Sequence, residues 1–124
     1  MFILATIVVV LIALLHIYIL VLEMFLWDKP MGLRAFRQTS EIAAATKVLA
    51  ANQGLYNGFL AAGLLWGAIL GHDGILLKIF CLSCVAVAGL YGAYTVARQI
   101  VFIQTVPAAI ALILVLSASP KPVG

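Results

Sequence analysis

Apolar positions in this chain run in long unbroken blocks rather than alternating, with polar residues gathered at a few separations between them. Each block reaches the length of about 20 residues that a helix rising 1.5 Å per residue needs to cross a hydrocarbon core about 30 Å thick. Four spans are expected: about 1–27, 52–70, 74–97 and 100–117. Strands of a membrane barrel would alternate in and out over about 10 residues, and these blocks do neither. The fold class expected is therefore all-α, a polytopic membrane protein forming an antiparallel four-transmembrane-helix bundle. The opening MFILATIVVV has no basic segment and leads an apolar run too long for a signal peptide, so it reads as a span.

The separations add detail. Pro30 and Gly32 break the helix after the first span, and Ser40 followed by Glu41 is an expected N-cap. The Ala-rich stretch that follows predicts a cytoplasmic helix extension over about 40–51, continuous with span two. Gly71 to Gly74 reads as a tight turn, and the third connection is nearly absent. The whole of 1–124 reads as a single four-helix membrane domain. Lys29, Arg34, Arg37, Lys47 and Arg98 fall on one side of such a bundle, against Lys78 and Lys121 on the other. That bias places the first and third loops in the cytoplasm and both termini outside. Trp27 and Trp66 suit the interfacial belts.

Composition narrows the class further. Of 124 residues 66% are hydrophobic and 9% charged, and mean hydropathy is +1.26. A soluble domain carries about 25% charged residues. Seven Lys and Arg with four Asp and Glu could not solvate a water-exposed globule of this size. The expected partner is the lipid bilayer. No basic cluster with interleaved aromatics points to a nucleic acid. Helices in lipid associate through small residues, and span two carries two stripes of them, Gly54, Gly58 and Ala62, then Gly63, Gly67 and Gly71. These predict contact with two neighbouring helices, or a homodimer seam.

Candidate chemistry lies in the polar residues within the spans. His16 and Glu23 share a face of span one, about 10 Å apart along the axis, too far for one metal. No metal and no cofactor is expected. Asn52, Gln53, Tyr56 and Asn57 open span two, Tyr91 and Arg98 lie on a stripe of span three, and Gln104 sits one turn before Pro107. In helices of alternating direction, Glu23, Asn52, Gln53, Asn57, Tyr91, Arg98 and Gln104 converge on one half of the bundle. A polar pocket for a small polar or amphipathic ligand is expected there, with His16 at its floor. A membrane enzyme using His16 or Glu23 as acid/base on a lipid-soluble substrate is the alternative, and a structural or partner-binding helix bundle packed through glycines is a second. Cys81 and Cys84 form C-x-x-C without a nearby second thiol pair and read as small buried hydrophobes.

The segments HIYILVLEMFLW, ATKVLAANQGLYNGFLAAGL and CVAVAGLYGAYTV resemble the small bacterial membrane proteins of the domain of unknown function 1304 family, over most of the chain. The resemblance implies four membrane-spanning helices, in a bacterial inner (plasma) membrane. It also implies that His16, Glu23, Asn52, Gln53, Asn57 and Tyr91 are the family's characteristic polar positions. Lys47, Asn52, Gln53 and Asn57 more loosely resemble the layout of membrane-associated eicosanoid and glutathione enzymes, whose helix-two Arg and Glu are missing here.

Overall fold

A computed structural model describes residues 1–120; Lys121, assigned above to the outer flank, lies outside the described residues. The described residues are helical and contain no strand. The elements are α1 (Phe2–Met24), α2 (Pro30–Ala35), α3 (Ser40–Leu70), a 3-10 turn (Gly71–Gly74), α4 (Ile75–Thr95), a π-helical turn (Val101–Thr105) and α5 (Val106–Ala118). By length and composition, three helical stretches are long and apolar enough to cross a membrane: Phe2–Met24, Ser40–Thr95 and Val101–Ala118. The count differs from the four spans expected because helical backbone continues from α3 through the 3-10 turn into α4, giving one stretch of 56 residues.

The chain divides into two compact units, Leu14–Ala61 and Met1–Ala13 with Ala62–Gly124. In the first, α3 runs against α1 with small residues at the contact. A Cβ on Gly54 would lie 2.6 Å from Met24 Cγ, and one on Gly58 2.6 Å from Leu20 Cδ1. Ala43, Ala50 and Ala61 are buried along the same helix. The connection after α1 holds a short helix that the expected break at Pro30 did not foresee. Pro30 occupies the first turn of α2, where its missing N–H has no partner to lose. The helix ends in a Schellman motif, in which Gln38 N–H donates to Leu33 O and Arg37 takes a left-handed φ of 51°. Gly32 is buried against the carbonyls of Leu26 and Trp27, leaving no room for a side chain. The expected cap Ser40 is already helical. The capping hydroxyl belongs to Thr39, whose Oγ1 accepts from Ile42 N–H at 3.3 Å, because the third helical N–H lies within reach of that position and not the next.

In the second unit the end of α3 turns back on itself at Gly71, where φ is +62°, and packs along α4. A Cβ on Gly67 would lie 2.6 Å from Lys78 Cγ, and one on Gly63 2.6 Å from Cys81 Sγ. Gly54 and Gly58 of the first stripe thus face α1, and Gly63 and Gly67 of the second face α4. Leu64, Leu82, Val85, Ala108 and Ala111 are fully buried in this unit. Gly89 admits Thr105, whose hydroxyl donates to Ala86 O at 3.0 Å and ties the π turn to α4. The π turn precedes Pro107, which falls in the first turn of α5. Val106 N–H reaches back to Val101 O. The widened turn takes up the irregularity that the sequence places at this proline.

Candidate functional site

The unit Leu14–Ala61 brings together the acid and amide singled out in the sequence. Glu23 lies in the last turn of α1 and is only 7% exposed. A carboxylate at the end of a span can turn outward to headgroups and water. Glu23 turns instead toward α3, where Gly54 allows the helix backbone to approach. Its Oε1 accepts from Asn57 Nδ2 at 2.6 Å, and the same amide donates to Gln53 O at 3.2 Å. Asn57 is thereby held by its own helix with its amide aimed at Glu23.

Two further contacts rise from this pair toward the start of α3. Trp27 Nε1 donates to Thr46 Oγ1 at 3.1 Å, and that hydroxyl donates to Ile42 O at 2.7 Å. The Trp27 ring also lies 4.7 Å from that of Phe36. Above it, Lys47 Nζ donates to Asp28 Oδ2 at 3.0 Å, an ion pair. The hydrogen-bonded Lys47 ammonium holds the Asp28 carboxyl below the usual carboxylate range, and Lys29 adds to the effect.

The other expected site residues are placed as follows. His16 is fully buried on α1. Asn52 is exposed, its amide turned back to Val48 O at 2.9 Å, and Gln53 is exposed and joins the pair through its backbone carbonyl alone. Tyr91, Arg98 and Gln104 belong to the other unit. Tyr91 is 70% exposed, Arg98 is exposed after α4, and Gln104 is half-buried in the π turn. An open groove of about 370 Å³ is lined by Met24, Lys47, Val48, Ala51, Asn52 and Leu55, on a face of α3 other than the one that carries Gln53 and Asn57. Of the expected pocket residues, only Asn52 lines it.

Lys78 is a polar residue whose burial sequence reasoning did not foresee. Assigned to the outer flank, it is 4% exposed, with Nζ donating to Gly71 O at 2.9 Å and lying 5.7 Å from the centre of the Phe2 ring. Phe2 in turn stacks on His72 at 4.4 Å. The missed signal was its place in the first turn of α4, where its stem can reach back to the end of the preceding helix. Cys81 and Cys84 are free thiols, Cys81 buried beside Gly63. Among the described residues no group of three His, Cys, Asp or Glu side chains could hold a metal ion.

These features define a small all-helical protein with stretches long and apolar enough to cross a membrane and a buried acid–amide pair near the end of its first helix. It belongs to the family described as "Protein of unknown function (DUF1304)", whose sequence profile matches residues 10–116. A relative is the uncharacterized protein YpaA of Lactococcus lactis subsp. lactis (strain IL1403), 31% identical over 115 residues that cover 91% of this chain and 97% of that protein. No solved structure matches.

Proposed function

We propose that this is an integral membrane protein that binds, or moves, a small polar or amphipathic ligand beside Glu23 and Asn57. The observation behind this reading is the burial of Glu23. An ionisable side chain removed from water inside a membrane helix is costly and by default marks a functional position. A side-chain hydrogen bond between membrane helices contributes about 0.6 kcal/mol on average, far short of the cost of removing a carboxylate from water. Packing alone is therefore a poor reason to keep an acid at this position. In this reading the chain crosses the bacterial inner membrane four times as an antiparallel bundle, because α3 and α4 reverse at Gly71–Gly74. The loops carrying Lys29, Arg34, Arg37 and Arg98 face the cytoplasm, with both termini outside.

The test is reaction of the full chain in lipid vesicles with a lipid-soluble carbodiimide, which modifies protonated carboxyls it can reach from the bilayer. Modification mapped to Glu23 is expected. A chain left unmodified at Glu23, while the same reagent labels a control membrane carboxyl, rejects the pocket.

A further inference from the structure

The start of α3 carries a second feature, on a face turned away from Asn57 and independent of the reading of Glu23. Lys47, Val48, Ala51, Asn52 and Leu55 recur at helical spacing along one stripe of α3, and with Met24 they line the open groove of about 370 Å³. From Lys47 to Leu55 the stripe runs about 12 Å at 1.5 Å per residue. It is uncovered, with Val48 77% and Leu55 43% exposed. Asn52 turns its amide back on Val48 O, so the walls are apolar and the charge of the lining sits at the Lys47 end.

At that end two ammonium groups share one acid. Lys47 Nζ donates to Asp28 Oδ2 at 3.0 Å, and the charge of the exposed Lys29 acts on the same carboxyl, which leaves one positive charge unmatched. The exposed Arg34 and Arg37 follow in the same loop, with Glu41 as the acid after them. Trp27 ties this basic loop to the rim of the groove: its indole N–H donates to Thr46, next to Lys47, and its ring packs on Phe36, next to Arg37. Indole rings favour the level at which water gives way to lipid. Apolar walls leading away from a positive rim at that level match an amphiphile with an anionic head and a hydrocarbon tail. We propose that the groove seats one anionic phospholipid, its acyl chain along Met24, Val48, Ala51 and Leu55 and its phosphate at Lys29 and Lys47. A zwitterionic lipid with the same chains would leave the surplus charge unmatched.

The test follows quenching of Trp27 fluorescence in the full-length protein, with the exposed Trp66 replaced by Phe so that a single indole reports. The protein is reconstituted into phosphatidylcholine vesicles holding a fixed minor fraction of either phosphatidylglycerol or phosphatidylcholine brominated near the glycerol end of its chains. At equal fractions the brominated anionic lipid is expected to compete about fivefold better, as one unmatched positive charge near a membrane surface implies. Lys29→Gln should bring that ratio below about twofold, and Ala51→Phe, which fills the groove with every loop charge in place, should do the same. Equal quenching by the two lipids overturns the proposal, and so does a ratio unmoved by Lys29→Gln. A ratio that survives Ala51→Phe places the selection in the loop alone and overturns the groove as the seat. Competition by soluble glycerophosphoglycerol, which has the head and no chain, overturns it equally. Should a variant fail to fold, the lipid comparison and the soluble competitor decide with the native groove and loop. Glu23 has its separate test in the carbodiimide reaction, which none of these outcomes touches.

Discussion

Asp28 sits between the apolar stretches, so the pH dependence of its ion pair with Lys47 is open to direct measurement. Because the folded carboxyl is held below its unfolded value, the pair stabilises the fold at pH above the unfolded value of about 3.9. The contribution is lost as pH falls through the lower, folded value. Lys47→Met is expected to bring the Asp28 titration, followed by NMR, back toward the ordinary range and to remove its salt sensitivity. Lys78 carries a different kind of demand. Lys78→Met would leave the Gly71 carbonyl without its donor and should cost about 1–3 kcal/mol in an unfolding titration. Asn57→Ala should cost less, about 0.6 kcal/mol and at most about 1.7. Glu23 and Asn57 were both legible as suspects, since polar residues stand out in an apolar block. Their pairing was not, because it depends on the register between two helices. The burial of Lys78 was not legible either, because it depends on the side chain folding back to the Gly71 carbonyl.

At the scale of the elements, glycines separate two causes of intolerance. Gly71→Ala would meet Phe2 Cζ at an ordinary contact distance of 3.8 Å but keeps a left-handed backbone, and is expected to cost about 1–2 kcal/mol, with Gly71→Asn milder. Gly74→Ala meets the backbone of Gly67, which cannot swing aside, and should cost about 1–3 kcal/mol or more. Thermal unfolding of the two variants in one detergent checks the order. Arg37→Gly is the converse case, expected to stabilise by up to about 1 kcal/mol because the left-handed residue loses its side chain. Helix positions followed from the sequence to within a few residues, down to the run of α3 from Ser40 to Leu70. Block length and composition suffice for that. The short α2, the Thr39 cap and the π turn before Pro107 escaped, since each is settled by which neighbouring N–H or carbonyl a single group can reach. The two glycine stripes were visible, and which helix each would face awaited the fold.

For the molecule as a whole, the reading as four crossings makes a geometric demand. Single cysteines at His72 and at Arg37, in a background with Cys81 and Cys84 replaced, should react with an impermeant thiol reagent from opposite sides of a sealed vesicle. Reaction from the same side would refute four crossings. The turn that reverses α3 into α4 spans Gly71–Gly74 and offers His72 and Asp73 as its polar side chains. During synthesis so short a link gives the insertion machinery nothing to hold between the two helices. On the four-crossing reading the two helices would enter the bilayer as one hairpin, with the Gly71 carbonyl at the bend met by Lys78. A chain cut after Gly74 would therefore lose more than its distal helices: the Gly71 carbonyl would be left without the ammonium of Lys78 that meets it.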